Sequence, residues 1–102
     1  MAEIPTEVAA AQRASDEAWA ALQAHREQVN ERRQADPRVE HPKFGPILRP
    51  WTTDEDAEYD RLHAAVLAAA EARAAAMVTA GIVSTYSVEG EMRAAARAAA
   101  GE

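Results

Sequence analysis

Three histidines, His25, His41 and His63, are the side chains of this chain best suited to metal or proton chemistry. One of them closes the stretch Asp60-Arg-Leu-His63, where a carboxylate and an imidazole three residues apart share a helix face. In a dimer, two such pairs could meet in a bundle core like that of the carboxylate-bridged dimetal proteins, with Glu17 and Glu31 supplying the facing glutamates that such a site requires. Nothing in the spacing fixes that alignment. A structural or surface role is therefore the expectation for all three histidines, with no metal or cofactor, and the metal-binding bundle enzyme is the least favoured of three function classes.

Basic residues gather around the middle of the chain, at Arg32, Arg33, Arg38, Lys43 and Arg49, interleaved with Phe44 and Trp51. A basic and aromatic groove can track phosphates and stack bases, so a nucleic-acid-associated regulator is the second function class. Glu31, Asp36 and Glu40 dilute that charge, and a solvated surface or a protein contact is favoured. A helix-turn-helix reading around Gly81 would give its recognition helix Glu89, Gly90 and Glu91, a poor approach to DNA. The acidic run Asp54 to Asp60 lacks the glycine and the alternating oxygens of a calcium loop, and its place at a helix start accounts for it. No nucleophile and base arrangement is readable, and Gly45, Gly81, Gly90 and Gly101 stand alone rather than forming a phosphate loop. The sequence leans away from an enzyme.

The elements that must position these residues are two long alanine-rich stretches and the proline-studded connector between them. The first stretch predicts a helix over 6–36, opened near Pro5 or Thr6 and stopped by Pro37, which disfavours helical geometry at Asp36. Val8, Ser15, Leu22 and Val29 recur every seven residues, with Ala11, Ala18 and His25 in the companion positions, a coiled-coil-like seam interrupted by Ser15 and His25. A second helix is expected over 53–80, started by a capping box in Thr52-Thr53-Asp54-Glu55 and stopped at Gly81. Its apolar stripe runs through Tyr59, Leu62, Val66, Ala69 or Ala70, Arg73 and Met77, with His63, Leu67 and Ala74 widening it.

Between them, residues 37–52 form a connector longer than the 2 to 8 or so residues usual between bundle helices. Pro42, Pro46 and Pro50 restrict its backbone, and Phe44, Ile47, Leu48 and Trp51 give it apolar weight, so it is expected to be ordered. After Gly81 a β-branched segment reads as extended chain or a turn. Ser87 is a candidate cap for a last helix from Val88 to about Ala99, within a C-terminal segment 81–100 whose end carries no anchor and should fray.

Composition sets the energetic limits. Of 102 residues 27 are alanine, whereas Leu, Ile, Val and Phe together number 15, so helices form readily but the core is thin. A thin core favours self-association or docking onto a larger assembly. The formal net charge of -6 opposes general affinity for nucleic acid or anionic membrane. Without cysteine there is no disulfide scaffold and no thiol nucleophile. The first residues, Met-Ala-Glu-Ile-Pro-Thr-Glu, show no basic region leading into an apolar run, and no 18 apolar residues are uninterrupted, so a cytoplasmic protein without a membrane partner is expected.

The chain thus reads as a single all-α domain, a long antiparallel helical hairpin with a proline-rich apolar connector and a short C-terminal helix, dimerising into a four-helix bundle. Its expected role is that of a non-enzymatic assembly, adaptor or accessory protein working through a homodimer or a larger protein partner. Aromatic and arginine anchors dominate contact energy at interfaces. The expected partner-binding residues are therefore Lys43, Phe44, Ile47, Leu48, Arg49 and Trp51.

Overall fold

The computed structural model describes residues 3–100 and is mostly helical. Met1 and Ala2, the start of the expected leaderless N-terminus, and Gly101 and Glu102, the end of the expected frayed tail, lie outside the described residues. Helix α1 spans Thr6–Ala35, strands β1 and β2 span Val39–His41 and Gly45–Ile47, helix α2 spans Thr53–Ala80 and helix α3 spans Tyr86–Ala100.

Local chemistry accounts for the helix ends. Asp36 turns to extended backbone ahead of Pro37, as the clash with the proline ring requires, and its amide still donates to the Arg32 carbonyl at 2.9 Å. At the start of α2 the Thr52 hydroxyl accepts from the Glu55 amide at 3.1 Å while the Glu55 carboxylate accepts from the Thr52 amide at 2.9 Å, a reciprocal capping box. Gly81 ends α2 at φ 71, and the amides of Gly81 and Ile82 reach back to the carbonyls of Val78 and Met77 in a Schellman closure. The last helix begins at Tyr86, two residues before the expected Val88, because Thr85 rather than Ser87 caps it: the Thr85 hydroxyl accepts from the Val88 amide at 3.1 Å.

Helices α1 and α2 lie side by side in opposite directions, so that Met77 meets Val8 at one end and Glu55 meets His25 and Arg32 at the other. On α1 the buried positions are Val8, Ala9, Gln12, Ser15, Leu22, His25 and Val29, which contain the heptad seam; on α2 they are Glu55, Val66 and Met77. Helix α3 packs on α1, with Met92 fully buried beside Val8 and Met77 and with Ile4, Ala76, Ile82 and Val88 around them. Gln12, buried beside the seam, is satisfied on both sides: its side-chain oxygen accepts from Arg73 Nε of α2 at 2.6 Å and its amide donates to Asp16 on its own helix at 2.8 Å. Arg73 also binds Glu89 and thereby ties α3 to α2.

The molecule is a rod of 58 × 23 × 23 Å. Its radius of gyration of 18.8 Å far exceeds the value of about 13 Å typical of a compact domain of this length.

Candidate functional site

The connector is not a loop throughout. Val39–His41 pairs antiparallel with Gly45–Ile47, Val39 opposite Ile47 and His41 opposite Gly45, which adds a two-stranded sheet that the all-α reading omitted. Pro42 enters the turn with its backbone angle preset, and Gly45 leaves it at φ 72, a left-handed conformation that side-chain-bearing residues resist. His41 fastens the turn through Nδ1, which accepts from the amides of Lys43 at 3.0 Å and Phe44 at 3.2 Å. That ring stacks on Phe44 with centroids 4.9 Å apart, and the Lys43 ammonium lies 5.5 Å from the Phe44 centroid.

Strand geometry then defines one face. Residues two apart share a side of a pleated strand, so Val39 and His41 lie with their partner Ile47 on one face, and Phe44 continues it over the His41 ring. Val39, Ile47 and Phe44 are all exposed, Phe44 at 69%.

Where the connector meets the helices it is held by charge. The Arg49 guanidinium donates to Asp36 from Nε at 2.6 Å and grips Glu55 with both terminal nitrogens, Nη1 to Oε1 at 2.8 Å and Nη2 to Oε2 at 3.1 Å. Arg32 Nε adds a bond to Glu55 Oε2 at 3.1 Å, and Arg33 Nε donates to the Arg49 carbonyl at 2.6 Å. Bonded to the Arg49 guanidinium and then to the Thr52 amide, the Glu55 carboxyl is held far below the usual carboxylate range, and Arg49 is correspondingly held above the usual arginine range by Glu55 and Asp36.

An aromatic series runs beneath this network. Trp51 meets the edge of His25 at 5.7 Å and of Tyr59 at 5.8 Å, and Tyr59 stacks on His63 at 5.9 Å. His25 is fixed by its Nε2, which donates to the Glu55 carbonyl at 2.9 Å, so this nitrogen carries the proton. Trp51 lines two open grooves, one of about 360 Å³ along Gln23, Arg26, Asn30 and Arg33, the other of about 300 Å³ by Asp56 and Tyr59.

The six expected contact residues therefore fall into two groups. Lys43, Phe44 and Ile47 are exposed on the strand pair, whereas Leu48, Arg49 and Trp51 are half-buried at its base. Val39 and His41 belong to the exposed face and were not expected there; the alternation that places them is only three residues long on each strand. Asp36 and Glu55 complete the base; Asp36 was read as a helix-end residue that dilutes the basic cluster and Glu55 as a capping residue, neither as part of a site.

The basic cluster is largely consumed within the molecule. Arg32 and Arg49 are ion-paired, Arg33 bonds the connector backbone, and Arg38 donates to the terminal carbonyls of α1 at Arg33 and Gln34. Asp60 and His63 are exposed, Glu17 pairs with Arg13, and among the described residues no group of three or more His, Asp or Glu side chains could hold a metal ion.

Compared with known proteins, the chain matches no protein family, no curated protein and no solved structure.

Proposed function

We propose that the chain is a non-enzymatic adaptor or accessory protein that docks onto a larger protein through the exposed face of its strand pair. The observation that supports this is Phe44, a large aromatic exposed at 69% yet already fixed by His41 beneath it and by a turn closed with Pro42 and Gly45. An apolar side chain that is ordered before contact spends little conformational entropy on binding, and aromatic anchors dominate interface energies. The Arg49 clamp on Asp36 and Glu55 supports the strand pair from below. On this reading Phe44 enters an apolar pocket of the partner, Val39 and Ile47 pack around it, and Lys43 meets a carboxylate at the rim.

The same reading has two copies join along their long helices as a four-helix bundle, because a core rich in alanine stabilises a lone rod weakly. A cytoplasmic setting accords with the lack of cysteine.

Capture from extract of the source cells tests the docking role. Wild-type protein should retain one defined partner, and Phe44→Ala should weaken its binding about thirtyfold or more with unchanged helicity and melting temperature. Retention of that partner by Phe44→Ala and by Ile47→Ser alike would refute the proposal. So would binding to nucleic acid that falls steeply with added salt, which would favour the regulator instead.

A further inference from the structure

The most apolar segment of the chain is left largely uncovered. Helix α2 contains an 18-residue stretch with a mean hydropathy of 1.2 and at most two charged residues, of which only 11% is buried. Its inward side, with Val66 and Met77, faces α1 and the α3 cluster. Another side carries His63, Leu67, Ala70, Ala74 and Val78, spaced by three or four residues and thus within one arc of the helix. Leu67 is 53% and Val78 79% exposed, and the alanines between them allow close helix approach.

The surface area states how much cover is missing. The chain exposes 7076 Å², against about 5,600 Å² for a compact monomer of 11.0 kDa. The excess, about 1,500 Å², is more than the roughly 800 Å² that a stable interface removes from each partner.

Resting on the dimer reading above, we infer that this face of α2 is the contact with a second copy of the chain, packed antiparallel so that Leu67 of each copy lies over Ala74 of the other. Direction follows from charge. A parallel pair would set two acidic runs, Asp54 to Asp60, side by side. The antiparallel pair moves each run towards Gly81 to Ser87 of the other copy, a segment with no charged residue, so that the two acidic runs no longer face each other. Register follows from size, since a large side chain over a small one fills the gap that paired alanines leave. With position 67 facing 74, the two-fold axis passes between Ala70 and Glu71. A bilayer is a poorer occupant: spanning it would draw Arg73 and its partner Glu89 towards hydrocarbon.

Sedimentation of the full chain over a dilution series, with cysteine cross-linking in a chain that has no native cysteine, tests this. Wild type should sediment as a dimer, and Leu67→Glu should raise the dissociation constant about a hundredfold or more by placing a carboxylate twice in an apolar contact. Ala70→Cys should form a disulfide-linked dimer and Leu67→Cys should not, because positions 67 of the two copies lie about 10 Å apart along the axis. This pair of variants remains decisive should Leu67→Glu fail to fold. A monomer at all concentrations, efficient linkage through Leu67→Cys, or flotation of wild type with phosphatidylcholine vesicles would overturn the inference. Phe44→Ala should leave the mass unchanged, which separates failure of this face from failure of the strand-pair docking site.

Discussion

Arg49 and Glu55 join end to end, both terminal guanidinium nitrogens against both carboxylate oxygens, across the bend at Pro50. The same carboxylate caps α2 through the Thr52 amide, so one side chain sets both where the helix starts and where the connector lies. Lysine cannot reproduce the two-pronged contact and the bond to Asp36 together. For Arg49→Lys, amides of Val39 to Ile47 should exchange about tenfold faster while those of the α1 and α2 interiors stay protected, as local opening of one unit requires. Hydrogen exchange resolved by residue checks this; equal exchange in both proteins would show that the clamp does not order the strands.

Acid should act on the same contact. The Glu55 carboxyl binds its proton less readily folded than unfolded, where it titrates near 4.3 or so. The unfolded state therefore takes up protons first as pH falls, and the stability that Glu55 contributes is complete above about pH 5 and is lost progressively below 4. Urea midpoints between pH 7 and 3 should fall for the wild type and fall less for Glu55→Gln, which starts lower and lacks this titration.

At the other end an apolar cluster works beside the Arg73 to Glu89 contact. Met92 is fully buried against Val8 and Met77, and Met92→Ala should cost about 2 to 4 kcal/mol through lost transfer energy and an unfilled space. Urea unfolding measures the loss. A cost below about 0.5 kcal/mol would show that α3 is not stably packed on α1.

One carboxylate oxygen of the half-buried Glu91 is inaccessible and has no bonding partner among the described residues. Desolvating a charge without compensation is unfavourable. Glu91→Met, of similar length, should therefore stabilise the chain by about 0.5 to 1 kcal/mol, read as a rise in melting temperature.

Gly81 closes α2 at a positive φ that an L side chain resists, though a β-carbon there would meet no neighbouring atom. Gly81→Ala should thus destabilise by about 1 kcal/mol through backbone strain alone. Gly90→Ala, at a helical glycine with equally open space, should stabilise by a similar amount. Paired thermal melts test the opposite signs.

The contrast between elements shows what kind of information a sequence carries. Both ends of α2 were legible, because Thr52, Glu55 and Gly81 act on backbone within five residues of themselves. The heptad of Val8, Ser15, Leu22 and Val29 was legible for the same reason, being a local periodicity that burial follows. The strand pair was not: three residues a side are too few to show alternation, and Pro46 within β2 argues against a strand. Nor was the start of α3, since Ser84, Thr85 and Ser87 all offer a hydroxyl and only packing of Val88 and Met92 selects Thr85. At the candidate site, Phe44 and Trp51 stood out by type, but their separation into an exposed face and a held base depends on Asp36, Arg49 and Glu55. No helical or strand period joins those positions, so the contact exists only once the chain has turned back.

The uneven dress of the rod has a thermodynamic consequence. Its connector end is closed chiefly by ions and hydrogen bonds, which acid titrates; the end around Val8, Met77 and Met92 joins the Arg73 to Glu89 contact to a cluster of methyl and thioether groups, which cold weakens. The two ends therefore answer to different conditions: chilling should loosen the α3 end first, and acidification the turn end first.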